Sequence, residues 1–391
     1  MSLVNPVPMT FKYVPAALLA LAFGFTSCDK NDAESVPALR TKMDASTLTA
    51  SSKYTESFKD ASGQSTVDLT SSNQRLDMFS ELNSYMALVA VAAPATPATL
   101  DVTKLRGYYT NTGGYFTGTG LNGSGLTLRT TTAASFPATN AETVRTYVDT
   151  KLTQLATASQ SVNNVATPGT AGRLGRYLVD GNGIEVNQVI QKALIGALLL
   201  DQIDNVLLTD NALKANNSKV VDGKAYSELE HNWDLAYGYL TSNAIMTTDI
   251  NLTPRERFLA SYLNEKNPTA SPAVYMALLK GRAAIVNNDA AGVKTQAEFI
   301  RTELEKTIAL AAVSYLSNWK SASTLDVKAH ALGEGLGFVY SLRFCTKYGA
   351  DAAFSDNLLT GLTSGTSGTW SLTNAQADVA INAIKAKFSI Q

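Results

Sequence analysis

The stretch EVNQVIQKALIGALLLDQIDNVLL, from Glu185 to Leu208, decides the fold class. It is too long for a strand, its first turns carry apolar residues at helical spacing, and its centre is apolar all round, which is the pattern of a helix buried in a bundle. Working outward, Arg75 to Val91 is amphipathic through Leu76, Phe79, Leu82 and Met86, and Ala141 to Ala158 is a more polar helix. Ala225 to Ser242 follows. Thr253-Pro254-Arg255-Glu256 then reads as a helix start, with Thr253 as cap, Pro254 at the first helical position and Glu256 reaching back. Pro272 to Val286, Thr295 to Ser317, Thr324 to Phe344 and Asn374 to Phe388 complete the set. The chain is expected to be mainly α, a helical bundle forming one large domain or two packed bundles.

Two segments break the pattern. Lys104 to Ala134 is rich in Gly, Thr and Asn, so residues 104–134 are expected as a non-helical insertion, either short strands or a loop over one end of the bundle. Its Gly/Thr run lacks the Gly-Lys-Ser/Thr ending of a phosphate loop. Ser355 to Asn374 reads as a second loop. No Rossmann fingerprint, fixed-period repeat or Ser-His-Asp arrangement is legible.

The N-terminus has the parts of a lipoprotein signal. Lys12 precedes an apolar run from Tyr13 to Phe25, and Phe25-Thr26-Ser27-Cys28 sets small residues before a cysteine. The run is shorter than the roughly 20 residues a membrane span needs. Residues 1–27 are expected as the signal peptide, Cys28 as the lipidated residue, residues 28–45 as a solvated polar tether, and residues 46–391 as the helical domain. Acyl chains on Cys28 would hold the protein at a lipid membrane without a span. The expected location is the outer membrane, lipid-anchored, at the periplasmic face or cell surface.

Cys345 is the one cysteine besides Cys28, so no intramolecular disulfide remains once Cys28 is acylated. A formal net charge of −1 without basic blocks argues against nucleic acid as a partner.

Both histidines of the chain stand beside carboxylates on expected helices. In Glu230-His231-Asn232-Trp233-Asp234, Glu230 and Asp234 lie about 40° apart around the axis and His231 shares their broad face. His330 and Glu334 are one turn apart, and Gly333, Gly337 and Ser341 fall on the same side. Interior glycines each cost about 1 kcal/mol relative to alanine. That cost is offset if backbones approach closely or a ligand occupies the face. A third strip, Glu185, Gln188, Lys192 and Gly196, runs along the central helix. Imidazoles with carboxylates suit iron, zinc or manganese. Glu230, His231, Asp234, His330 and Glu334 are the candidate metal ligands, with Glu185, Gln188, Lys192, Arg282 and Asn287 as ligand-orienting residues. The same pairs also serve as structural hydrogen bonds that fix helix register.

Four segments carry a resemblance: Glu230 to Tyr239, Gln191 to Ala197, Arg282 to Asp289 and His330 to Phe338. With the lipobox, they resemble an imelysin-like lipoprotein family of Bacteroidota. The resemblance implies a helical-bundle fold, envelope location and an association with iron uptake. Leu229 and Lys328 stand where the broader group's Gly-x-His-x-x-Glu motif has glycine, and Leu235 stands where the closer pattern has an acid.

The leading expectation is a non-enzymatic envelope lipoprotein that binds a metal ion or an iron-containing ligand, with iron or another divalent metal as cofactor, supporting iron uptake. The first alternative is a scaffold or accessory subunit of an outer-membrane transporter or another envelope protein, with the insertion as contact surface. The second is a metal-dependent hydrolase, for which the sequence offers no nucleophile.

Overall fold

Glu185 to Leu208 forms one continuous rod with two hydrogen-bond registers. Val186–Leu194 is α-helical, and Ile195–Leu207 continues it as a π-helix. The wider register is visible where Leu208 N–H donates to the Ile203 carbonyl at 3.0 Å. π-Helical turns usually come singly and concentrate at functional sites, so a run of 13 residues is unusual. Nearly all of it is buried, including Asp201, Gln202 and Asp204. Asp201 accepts hydrogen bonds from the Ser135 N–H and hydroxyl, which ties the rod to the neighbouring segment.

A computed structural model describes residues 39–91, 95–251, 253–365 and 367–391. The lipobox and Cys28 lie outside the described residues. The main helices are α1 (Thr70–Ala87), α2 (Val102–Thr110), α3 (Ala138–Ser159), α4 (Val186–Leu194, leading into the π-helix), α5 (Glu228–Leu240) and α6 (Phe258–Lys266). They continue with α7 (Ser271–Val286), α8 (Ala290–Ser321), α9 (Leu325–Ser341), α10 (Ala352–Thr363) and α11 (Asn374–Phe388). The protein is predominantly helical and forms one large bundle, and its described residues belong to one compact unit. The long α8 packs on α7, α9 and α11. α9 lies against α4, and α5 fits between α1 and the π-helix. One apolar core runs through these contacts, from Leu48 to Phe388. No described helix is long and apolar enough to cross a membrane.

Local chemistry explains most of the boundaries. α5 and α11 both open with capping boxes, Ser227 with Glu230 and Thr373 with Gln376. The expected start at Thr253 is corrected: the helix begins at Phe258, after Arg257 as cap residue. Glu256 instead turns its carboxylate to the Asn243 amide at 2.8 Å and the Thr247 N–H at 2.7 Å. Ser355 to Asn374 is also corrected, because α10 occupies its first part, capped by Asp351. Glycines and serines around that helix hid an apolar face of Leu358, Leu359 and Leu362, which packs on the core.

The insertion is less irregular than its composition suggests. Its first residues belong to α2, which ends where Asn111 takes a left-handed conformation with φ 53°. Residues 111–127 then make turns, and Leu128–Thr131 forms a single helical turn. The only paired strands among the described residues lie elsewhere. Gly172–Leu174 and Tyr177–Val179 form an antiparallel hairpin that rests on α9.

The end of the expected tether is docked. Met43 exchanges two hydrogen bonds with the Asn287 side chain, each 2.9 Å, and Arg40 reaches into the bundle. Arg40 and Met43 therefore pack with the helical body.

Candidate functional site

The capping box of α5 supplies the first cluster. Glu230 accepts from the Ser227 N–H at 2.7 Å, which turns its carboxylate inward at the helix start. Asp234 follows one turn later on the same face. α7 sends Arg282 between them: its Nη1 donates to Glu230 Oε1 at 3.0 Å, its Nε to Asp234 Oδ1 at 2.9 Å, and its Nη2 to Thr66 Oγ1 at 3.0 Å. Arg282, Glu230 and Asp234 are wholly buried. The N-terminal arm closes the cluster. Arg40 grips Glu230 through Nε at 3.0 Å and Nη2 at 2.8 Å, and the Tyr54 hydroxyl donates to Asp234 at 2.8 Å.

Two arginines thus balance two carboxylates. Burial pushes the Glu230 carboxyl up, but Arg40, Arg282 and the Ser227 N–H together leave it below its ordinary value. Burial wins at Asp234, whose carboxyl is pushed up to about 6 against the pull of Arg282 and Tyr54. The guanidinium of Arg282 fills the space between the acids that a metal ion would need. His231 joins neither acid through its ring. The imidazole stacks on Tyr226 with centroids 4.2 Å apart, and burial pulls its pKa down.

The second cluster forms where α9 crosses α4. The glycine stripe exists for this crossing: a Cβ on Gly337 would stand 2.6 Å from Lys192 Cβ, and one on Gly333 would stand 2.9 Å from the Glu185 carbonyl oxygen. Close backbone approach, one of the two expected reasons for the glycines, is the one observed. It brings His330 Nδ1 to 2.7 Å from Glu185 Oε2 and Nε2 to 3.6 Å from Glu334 Oε2. Lys192 Nζ stands 3.0 Å from Glu334 Oε1, where the Tyr262 hydroxyl also donates at 3.2 Å. The imidazole stacks on Tyr177 of the hairpin at 4.3 Å.

Burial pulls His330 down, but the hydrogen bond and charge of Glu185, together with Glu334, raise it overall. Burial likewise pulls Lys192 down, opposed chiefly by Glu334. With His330 protonated, two cations face two carboxylates. Gln188 leaves its Oε1 buried beside this group without a hydrogen-bond partner.

The five candidate metal ligands do not form one centre. Glu230 and Asp234 belong to the Arg282 cluster, His330 and Glu334 to the Lys192 cluster, and the His231 ring packs on Tyr226. Among the described residues no three His, Cys, Asp or Glu side chains are placed to hold a metal ion. The donor sets do not fit a divalent cation as they stand, because arginine and lysine already neutralise them. Of the candidate orienting residues, Glu185, Gln188 and Lys192 line the second cluster and Arg282 centres the first. Asn287 pins the N-terminal arm at Met43. Cys345 is buried, and burial pushes its thiol up, which makes it a poor nucleophile.

Sequence reasoning missed Arg40, Tyr54, Thr66, Tyr177 and Tyr262, which reach the clusters from distant segments without a spacing signal. It also missed a buried acid group. Asp204 on the π-helix has neither carboxylate oxygen hydrogen-bonded, and Glu305 of α8 acts on it. The apolar periodicity of Glu185 to Leu208 concealed this group.

Fold and clusters together define a mainly helical protein in which the carboxylates of the two clusters are held by basic side chains. The chain belongs to the family described as Domain of unknown function (DUF4856), which matches residues 52–391. No curated protein and no solved structure matches it significantly. Arg40 and Met43, which fasten the arm, precede the matched span.

Proposed function

We propose that this protein is a lipid-anchored envelope lipoprotein whose helical body is a non-catalytic docking module, an accessory subunit of an outer-membrane transport complex. The observation that carries this reading is the construction of the turn-rich segment 111–127. Glu81 of α1 accepts from the Thr117 and Gly118 N–H groups, each at 2.8 Å. The Asn122 side chain brackets Phe116 with bonds of 3.0 and 2.7 Å, and Asn111 donates to the Leu121 and Leu126 carbonyls at 2.9 and 2.8 Å. Phe116 and Leu121 are buried beneath it. A long loop fixed in one shape exposes Thr, Asn and Gly to a partner at little further entropic cost.

The lipobox and the likeness to imelysin-like envelope proteins support the location. The neutralised clusters support a structural role for the buried acids. The second reading, binding of a divalent metal or an iron-containing ligand, is favoured by one observation: both nitrogens of His330 face carboxylates. It requires Lys192 to leave Glu334.

The test is in-cell crosslinking followed by purification of the tagged lipoprotein from outer membranes. The wild type should retain an outer-membrane transport protein. A variant with residues 112–125 replaced by a short linker should lose it while keeping its helicity, and Glu81→Ala, which loosens the loop without changing its surface, should weaken retention. Equal recovery from all three would contradict the docking surface.

A further inference from the structure

From Val102 to Ala141 the chain carries Lys104, Arg106 and Arg129 and no acidic residue, although Lys and Arg nearly balance Asp and Glu over its whole length. This acid-free stretch contains the turn-rich segment 111–127 and the helix that leads into it. Two of its cations are engaged within the fold. Arg129 pairs with Glu142 and Asp149, and Arg106 turns to α3, where its Nη2 donates to Thr153 Oγ1 at 2.9 Å. Lys104 lies on the other side of α2, since residues two apart on a helix point about 160° from one another.

Lys104 is half-buried in an aromatic frame. Its Nζ stands 4.7 Å from the ring centroid of Tyr85 on α1, 5.9 Å from that of Tyr108 on α2 and 5.8 Å from that of Tyr115 at the start of the turns. The rings form a series, with centroids 5.6 Å apart from Tyr85 to Tyr108 and 6.0 Å apart from Tyr108 to Tyr115. A Cβ on Gly107 or Gly113 would overlap the Tyr115 ring, so these glycines seat it in one place. Ring faces attract the ammonium but do not take up its N–H groups as a carboxylate does. Lys104 enters no ion pair and no hydrogen bond among the described residues. Asp101, at the start of α2, accepts from the Thr103 N–H at 2.7 Å, and Glu81, which acts on Tyr108, is taken up by Thr117 and Gly118. The Tyr85 hydroxyl accepts from the Asp101 N–H at 2.9 Å, which leaves its proton for an outside acceptor.

We propose that Lys104, framed by Tyr85, Tyr108 and Tyr115, is an anchor that seats an aspartate or glutamate side chain of a partner protein. The anchor belongs to the docking surface proposed for residues 111–127 and rests on that reading. A lysine acts as a point charge and matches one carboxylate, whereas an anionic membrane surface is held by clusters of basic residues, which this stretch lacks. Fixed tyrosines beside Thr, Ser, Gly and Asn are the composition of protein-binding surfaces, with the rings as rigid contact area. Charge of one sign across the stretch favours an acidic partner and disfavours a basic one.

The test is zero-length carbodiimide crosslinking of the tagged full-length protein in gently lysed native cells, with the crosslinked peptides sequenced by mass spectrometry. Carbodiimide joins an amine to a carboxylate only where the two are in contact. Wild type should show Lys104 joined to an Asp or Glu of another polypeptide. Lys104→Met should retain that polypeptide about tenfold less, and Lys104→Arg, which keeps the charge, should retain most of it. Thermal melts establish that both variants fold, and the wild-type crosslink map stands without them. A partner crosslinked only through other lysines, and retained equally by wild type and Lys104→Met, would overturn the anchor and leave the docking surface standing. Absence of any protein partner for the wild type would overturn both.

Discussion

Lys192 Nζ stands 3.0 Å from Glu334 Oε1, and both side chains are almost wholly buried. Neither charge is well tolerated alone at that depth. Removing one partner of a buried pair strands the other, at a typical cost of about 3–5 kcal/mol, whereas replacing both with apolar residues is often neutral. Lys192→Met should therefore destabilise the protein by about 3–5 kcal/mol. The double variant Lys192→Met/Glu334→Leu should recover much of that loss in denaturant melts. A double variant as unstable as the single one would contradict a purely structural pair.

The arm and its clamp give a prediction with a different readout. Arg282 satisfies Glu230, Asp234 and Thr66 at once, and Arg40 adds the chain before residue 46 to the same carboxylate. Arg40→Ala leaves Arg282 and the capping box in place, so the bundle should melt within a few degrees of wild type. Limited proteolysis should then cut between residues 39 and 53 where wild type resists. Arg282→Met should lower global stability by about 3–5 kcal/mol, because two buried acids lose their cation.

Much of this architecture was legible in the sequence, and what was not has identifiable causes. The long apolar rod, α7 and α11 follow from helical periodicity, and α11 runs from Asn374 to Phe388 as expected. The meeting of Glu185 and Lys192 with His330 and Glu334 follows from helix faces that needed a neutral, close-packed partner. The switch to π register at Ile195 was not legible, since periodicity carries no phase in an apolar run such as Ile195 to Leu200. Nor was the parting of the two histidines: each helix face was readable, but which helices cross is set by tertiary packing. Arg282 decided the matter for Glu230 and Asp234, from a helix whose apolar residues dominate its pattern.

The glycine stripe separates two kinds of glycine. Gly337 on α9 meets Lys192 Cβ and the Val189 carbonyl, so Gly337→Ala forces the crossing apart and should cost about 1–3 kcal/mol, typical of overpacking. Gly361 on α10 is exposed with open space around it, so Gly361→Ala should stabilise by up to about 1 kcal/mol through helix propensity. Urea titrations of the two variants beside wild type check both signs.

The buried acid group makes stability depend on pH. Burial pushes Asp204 well above its ordinary value, reinforced by Glu305, and Glu305 itself is pushed up to about 7. Arg301, Lys347, Asp201 and Cys345 are the other titratable groups facing the pair. The folded state therefore holds protons that the unfolded chain releases at lower pH, so this group favours folding in acid and that favour fades as pH rises through 7. Asp204→Asn should be more stable than wild type above pH 7, with the difference shrinking toward pH 4. A constant difference across that range would show that Asp204 is not the titrating partner.

The two carboxylate clusters, neutralised by Arg282 and Lys192, are expected to hold the bundle together without binding a metal ion. Metal analysis of the full-length protein purified from its native cells without chelator tests this most directly, with His330→Ala and Glu334→Gln alongside. Metal should be substoichiometric in all three proteins. One equivalent of iron, zinc or manganese in the wild type, lost in both variants, would contradict it.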